Sequence, residues 1–192
     1  AQDLPGHGRT GQHQQIGYFA ANDGFDLVVD HVRIVNDFIH SHPCDDVTIM
    51  GHSMGSVVVQ HYLMRYAESV NRAVLSGAPF ASAWLFKLAG LIVRLEKALH
   101  GPKHRSQFIH NFIFGRYNKL FAPNRTESDW LSRDSAQVDL YEADELCGFL
   151  ATNQMWQDVF AAFGKAVNAE QIKRIPSGLP IYIFGGDKDP AS

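Results

Sequence analysis

The chain has 192 residues, 45% of them hydrophobic, with 17 basic and 20 acidic side chains and a net charge of −3. The length is that of one ordinary domain with enough apolar content for a packed core, and the even spread of charge excludes a nucleic-acid-binding surface. Two cysteines, Cys44 and Cys147, are too few for a disulfide framework, so we expect free thiols in a reducing, cytoplasmic protein.

The first long element is an amphipathic helix predicted at residues 22–40. Its apolar side chains recur at intervals of three and four residues, which gives one buried face. Asn22 or Asp23 can cap its start. A loop at residues 41–46 ends the helix and leads into an apolar, β-branched run at 47–50, which is typical of a strand.

The main functional signal is the pattern Gly-x-Ser-x-Gly at residues 51–55. It lies between that strand and a helix-compatible segment that continues to about Ala67, which is the context of a nucleophile elbow. Such a turn forces its central residue, Ser53, into a strained, usually left-handed backbone conformation, and glycines on both sides are expected to relieve the clashes. The serine hydroxyl then lies at the helix N-terminus, where the N–H of Met54 points toward a developing oxyanion. The pattern favours a nucleophilic Ser53 over a plain glycine-rich turn.

Two more short apolar runs, at residues 72–76 and 181–184, are predicted strands. The strand before Ser53, the following helix and the strand at 72–76 have the spacing of a parallel crossover unit. The strand at 181–184 follows only after about a hundred residues. Residues 80–177 are therefore an insertion, and they are predicted to be mainly helical.

The insertion is rich in apolar and aromatic side chains. Its first helix, at residues 84–99, is more apolar than a surface helix needs, and an aromatic cluster follows between residues 108 and 121. Two interpretations stay open and can both hold: this surface is the insertion's own small core, or part of it lines an acyl-chain pocket. The candidate substrate-binding residues are Trp84, Leu88 and Phe112.

Several segments besides the elbow match motifs of one known superfamily, and they are spread over nearly the whole chain. They are residues 3–10, 17–20 with 23–24, 75–79, 129–134 and 186–190. With the elbow, they resemble the α/β-hydrolase superfamily, and within it the group of monoacylglycerol lipases, lysophospholipases and serine aminopeptidase-like enzymes. The resemblance implies a partial α/β-hydrolase fold, with parallel strands and flanking helices. Its core would comprise residues 1–79 and 178–192, and a mainly helical cap at 80–177 would follow the second strand.

The same resemblance implies roles for individual residues. Ser53 matches the nucleophile, Asp189 the acid of the catalytic triad, and the Met54 N–H one of two oxyanion donors. Asp187 is the rival acid, but the family's pattern places the acid three residues after a glycine, as Asp189 is after Gly186.

The histidines raise a different expectation, because in this superfamily the triad histidine follows the acid in chain order. Only residues 190–192 follow Asp189, so we expect a chain that starts and stops in mid-fold and is inactive alone. The histidine and the remaining core segments would come from the same parent protein, a second chain or another copy. His52 is expected to point away from the site and pack beside the elbow. His7 is expected to shape its loop, and surface or boundary positions are expected for His31, His40, His42 and His61.

Neither a metal nor an organic cofactor is expected. The histidines of the cap have no carboxylate or cysteine at ligand spacing in the sequence, which argues against a metal site there. These histidines are His100, His104 and His110.

The expected reaction is hydrolysis of a small lipid-like carboxylic ester, of monoacylglycerol or lysophospholipid type, through an acyl-enzyme. The apolar cap is expected to touch membrane surfaces transiently. An aminopeptidase of the same fold is the first alternative, in which acidic residues of the cap hold a substrate amine; the candidates are Glu142, Asp144 and Glu145. A catalytically silent binding subunit is the second, because a serine without a base is a poor nucleophile.

Overall fold

The computed structural model describes residues 1–13 and 15–191. Short 3-10 helices lie at Ala67–Ser69, Asn118–Phe121 and Asp129–Leu131. In chain order the other elements are α1 (Gly8–Gln12), α2 (Gly24–His40), β1 (Thr48–His52), α3 (Met54–Tyr66), β2 (Arg72–Ser76), α4 (Ala83–His100), α5 (Gln107–Phe114), α6 (Ser135–Ala143), α7 (Asn153–Ala166), α8 (Ala169–Ile172) and β3 (Ile181–Phe184).

The strands form one parallel sheet in the order β1-β2-β3. His52 pairs with Ser76, and Ser76 pairs with Phe184, so the carboxyl ends of the three strands meet at one edge. In open α/β sheets, ligands bind beyond this edge. The predictions of an α/β fold, of three strands and of their parallel pairing are therefore confirmed.

The larger core is built by α2, α3 and α7 with the inner strands. Val28 and Val29 of α2 and Tyr62 of α3 are fully buried in it. Helix α7 falls inside residues 80–177, yet it adds Met155 and Val159 to this same core. One helix of the predicted cap is thus packed as a layer of the α/β core.

A smaller core joins α4 and α5 to the other side of α7. It contains Phe86 and Val93 of α4, Ile109 of α5 and Phe160 of α7. The first interpretation of the apolar cap, an internal core of its own, therefore holds for this face of α4.

Two local expectations are wrong. Asp23 occupies the N-cap position of α2 with φ = 51°, but its side chain makes no capping hydrogen bond. His61 is not at a surface or boundary position: only 4% of it is exposed. The reason is that α7 covers that face of α3, and the His61 Nε2 lies 3.0 Å from the carbonyl oxygen of Ala162. Burial lowers the pKa of His61, although its hydrogen bond to Ala162 partly offsets this effect.

In the described part of the chain, no helix combines the length and the apolar character that crossing a lipid bilayer requires.

Candidate active site

Ser53 is the single residue between the end of β1 and the start of α3. Its backbone has φ = 53° and ψ = −123°, so φ is positive as expected, but ψ lies outside the left-handed helical region. Hydrogen bonds hold this strained conformation. The Ser53 N–H donates to the carbonyl of Ser76 at 2.9 Å, and the Ser56 N–H and hydroxyl donate to the Ser53 carbonyl at 2.9 and 2.6 Å.

The two glycines of the elbow are not equivalent. A Cβ on Gly51 would overlap the carbonyl group of Gly55 and lie 2.7 Å from the Ser56 nitrogen, so no larger residue fits there. A Cβ on Gly55 would meet nothing within 4 Å. The expectation that both glycines relieve clashes is therefore right for Gly51 and wrong for Gly55, because only Gly51 faces the first turn of α3.

The expected oxyanion donor, Met54, is the first residue of α3. The N–H groups in the first turn of a helix have no partner inside the helix, and the helix dipole makes this end favourable for negative charge. The Met54 N–H therefore lies where an oxyanion formed at Ser53 could be stabilised.

Asp189 lies in the loop that follows β3, half-buried, whereas Asp187 is exposed. The Asp189 N–H donates to the carbonyl of Gly186 at 3.2 Å, and its Oδ1 accepts the N–H of Ala191 at 2.9 Å. Its Oδ2 points toward β2, 3.1 Å from the position that a Cβ on Gly77 would take. The backbone thus holds one carboxylate oxygen and leaves the other turned toward the end of the sheet.

Ser53 and Asp189 line one cavity of about 840 Å³. Asp187 lines it too, so the cavity does not by itself separate the two acids. Trp84, Leu88 and Phe112 do not line it, since they lie on exposed parts of α4 and α5. The structure therefore brings together the predicted catalytic pair but not the predicted substrate-binding residues.

Part of the cavity wall comes from the helical insertion at residues 80–177. It consists of Phe121 and residues 129–133, which include Trp130 and Arg133. Trp130 is held from behind by the aromatic cluster, because its ring centroid lies 5.8 Å from that of Phe114 and 5.1 Å from that of Tyr117. The sequence contained a signal for this wall, since residues 129–134 form one of the segments that carry the resemblance.

The charges around the cavity are mixed. Asp129 accepts hydrogen bonds from the backbone N–H of Arg125 and from the Thr126 hydroxyl and N–H, which lower its pKa. Tyr117 has a raised pKa, mainly because it is buried and secondly because of the negative charge of Asp189. Tyr117 and Asp189 are thus electrostatic neighbours.

Among the described histidines, His52 alone lines this cavity. Its Nδ1 lies 3.1 Å from the Ser76 hydroxyl, and its Cε1 lies 3.0 Å from the position that a Cβ on Gly77 would take. His52 thus packs beside the elbow as expected, but its ring reaches the cavity wall, which the sequence did not indicate.

A parallel sheet, a serine on a sharp strand-to-helix turn and an acidic residue after a later strand in the same cavity define an α/β-hydrolase. The family described as serine aminopeptidase, S33 matches residues 1–192, and the chain belongs to this family.

Solved structures share the fold. A thermostable carboxyl esterase from Bacillus coagulans, in complex with glycerol, superposes with a TM-score of 0.84 at 20% identity, over 99% of this chain and 62% of that one. A monoacylglycerol lipase from Paleococcus ferrophilus has a TM-score of 0.58 at 16% identity, over 96% and 72%. A soluble monoglyceride lipase variant from Saccharomyces cerevisiae, in complex with a substrate analogue, has a TM-score of 0.65 at 15% identity, over 97% and 58%. The chain therefore spans less than two thirds of the esterase and of the yeast lipase. A search of the curated proteins finds no match.

Proposed function

We propose that this chain carries the nucleophile and the acid of a serine hydrolase that cleaves carboxylic esters of lipid-like substrates, of monoacylglycerol or lysophospholipid type. The observation that carries the proposal is Ser53 on a strained elbow, in a cavity that Phe121 and Trp130 also line. The fold shared with esterases and lipases supports it. Phe121 and Trp130 would contact the acyl chain, because apolar side chains dominate pockets for apolar ligands.

In the proposed reaction, the Ser53 Oγ attacks the ester carbonyl carbon, and its proton passes to a histidine and then to the leaving alcohol. The Met54 N–H is one donor to the oxyanion that forms. Asp189 Oδ2 orients the histidine and stabilises its charged form. Water then attacks the acyl-enzyme, releases the carboxylic acid and restores the serine.

We propose that this histidine lies outside residues 1–192, and that the 192-residue chain alone does not turn over. The support is geometric: His52 contacts the Ser76 hydroxyl, and none of the other described histidines lines the cavity. A serine hydroxyl without a neighbouring base keeps its proton and reacts slowly.

An aminopeptidase of the same fold is the second candidate. It is favoured by the description of the family and by two carboxylates in the cavity wall, Asp129 and Asp187, which could bind a substrate ammonium group. The acidic residues expected for this task do not line the cavity and are exposed; they are Glu142, Asp144 and Glu145.

A fluorophosphonate probe tests the nucleophile in the protein as its gene encodes it. We expect labelling that is lost in Ser53→Ala and kept in Ser132→Ala, since Ser132 lines the same cavity away from the elbow. Equal labelling of Ser53→Ala and the parent would disprove the assignment. A parent protein that binds no probe would instead support a catalytically silent binding subunit.

Turnover of monoacylglycerol and lysophospholipid against aminoacyl amides then separates the two enzymatic candidates. Faster amide cleavage that depends on Asp129 or Asp187 would replace the esterase proposal with the aminopeptidase.

A further inference from the structure

The C-terminal end of α4 brings two histidines and a carboxylate together, away from the cavity that contains Ser53. Glu96 and His100 are one helical turn apart on α4, and His104 lies in the loop that follows. The ligand atoms of all three lie within 4.8 Å of one another. The expectation that no carboxylate lies at ligand spacing from the histidines of the cap is wrong, because Glu96 lies one helical turn before His100.

The distances suit a single small cation. His100 Nδ1 lies 3.2 Å and His104 Nε2 lies 4.0 Å from Glu96 Oε1. Two ligands of a tetrahedral zinc ion, each about 2.1 Å from the metal, are separated by about 3.4 Å. The first distance is close to this value, and the second reaches it with a small movement of the exposed His104 ring.

The backbone and the carboxylate are held in place before any ion binds. The carbonyl of His104 accepts the N–H of Asn153 at 2.9 Å, so the N-terminus of α7 fixes the loop. The buried hydroxyl of Ser106 donates to Glu96 Oε1 at 2.7 Å. Partners of this kind orient the ligands of metal sites and reduce the ordering that binding requires.

We propose that Glu96, His100 and His104 bind one divalent transition-metal ion, of which Zn²⁺ is the type. Two imidazoles and one carboxylate favour zinc, cobalt or nickel over magnesium and calcium, which prefer oxygen ligands alone. The two rings are stacked with centroids 5.0 Å apart and are about half exposed, so the ion has access from solvent. A bound ion would tie the end of α4 to the loop before α5 and stabilise the cap without contacting Ser53.

The test is titration of the full chain with Co²⁺ and Zn²⁺. We expect one equivalent of Co²⁺ to give the visible absorption of a low-coordinate site, and Zn²⁺ to raise the melting temperature. His100→Ala and His104→Ala should each weaken binding by about tenfold or more. His110→Ala, which removes a histidine of the cap outside the trio, should bind like the parent. Circular dichroism of each metal-free variant checks that it is folded.

Several outcomes would overturn the proposal. They are Co²⁺ spectra without a low-coordinate signature, equal Zn²⁺ stabilisation of the parent and His104→Ala, or an equal response to Mg²⁺. Each would leave Glu96 and His100 as an ordinary helix-surface pair. Because these readouts do not involve activity, they are independent of the proposed ester hydrolysis.

Discussion

At the scale of single residues, the conformation of the elbow depends on Gly51 and Ser53. Ser53 takes a positive φ that an L-residue rarely adopts, and the contacts of its own N–H and carbonyl hold it there. Gly51 makes this possible, because the chain folds back so closely that a Cβ would overlap the carbonyl of Gly55. The strain is therefore concentrated at the residue whose hydroxyl we propose as the nucleophile.

The two glycines of the elbow should respond differently to alanine. Gly51→Ala is expected to destabilise the protein by about 2 kcal/mol or more, because backbone atoms must move. Gly55→Ala should be neutral or stabilise the protein by about 0.5–1 kcal/mol, since it adds a methyl group in open space within α3 and removes the backbone freedom of glycine from the unfolded chain. Urea unfolding of the two variants measures both effects. Equal destabilisation would contradict the close approach of Gly51 to the first turn of α3.

At the scale of elements, α7 decides how the cap is attached. One side of this helix adds Met155 and Val159 to the core of α2 and α3, while Phe160 packs with α4 and α5. Lys97 of α4 donates hydrogen bonds to Gln154 and Gln157 of α7, which join the C-terminal part of α4 to the first turns of α7. The smaller core of the cap is thus continuous with the larger core through one helix.

Two neighbouring residues of α5 test this attachment. Ile109 is 0% exposed in the smaller core, whereas Phe108 is 60% exposed. Ile109→Ala should cost about 2–5 kcal/mol, because it removes buried methylene groups and leaves a cavity. Phe108→Ala should change the free energy of unfolding by no more than about 0.5 kcal/mol. Thermal unfolding of both variants provides the comparison, and a larger loss for Phe108→Ala would show that α5 packs by its other face.

At the scale of the whole molecule, one carboxyl lies where the core and the cap meet. Asp158 of α7 faces the start of α2, where a Cβ on Gly24 would overlap its carboxyl group. Gln154 donates to its Oδ1 at 2.9 Å, but its buried Oδ2 has no hydrogen-bond partner among the described residues. Burial raises the pKa of Asp158 to about 6. This group should make the stability of the assembled protein depend on pH.

The direction in which stability changes with pH follows from the raised pKa of Asp158. The folded protein holds the Asp158 proton more tightly than the unfolded chain, so the stabilising contribution is complete below the unfolded pKa of 3.8 and is lost as pH rises through about 6. Asp158→Asn mimics the protonated form, and we expect it to be more stable than the parent by about 1–2 kcal/mol at pH 8, a value reduced for partial solvent access.

Urea unfolding at pH 4 and pH 8 measures this difference. Near pH 4 the advantage of Asp158→Asn should shrink toward zero, while Asp187→Asn, at an exposed carboxyl of the cavity rim, should not reproduce the pH 8 gain. An advantage of the same size at both pH values would show that Asp158 is ionised throughout.

Much of the site could be predicted from sequence because it depends on neighbours along the chain. The apolar run, Ser53 and the helix after it adopt the elbow through local backbone sterics, and the three strands pair in the expected parallel order. Asp189 was predicted from the family resemblance, by its position three residues after Gly186. The orientation of its carboxylate could not be predicted from the sequence. One oxygen accepts the Ala191 N–H, and the other lies toward Gly77.

Other features depend on contacts between residues far apart in the chain. Local periodicity shows that α7 has apolar faces, but only packing shows that one of them joins the α/β core and buries His61. Trp130 reaches the cavity because Phe114 and Tyr117 support it, whereas the more obviously apolar Trp84 and Leu88 remain on the surface.

The sequence by itself therefore determined the turn that presents Ser53, the parallel strands and the mainly helical insertion between the second and third strands, since backbone sterics and hydrophobic period act over a few residues. Only the tertiary structure decided which cap residues form the cavity wall, which helix belongs to both cores, and that His104 meets Glu96 and His100. Those outcomes depend on how the elements dock, and many dockings bury similar apolar area.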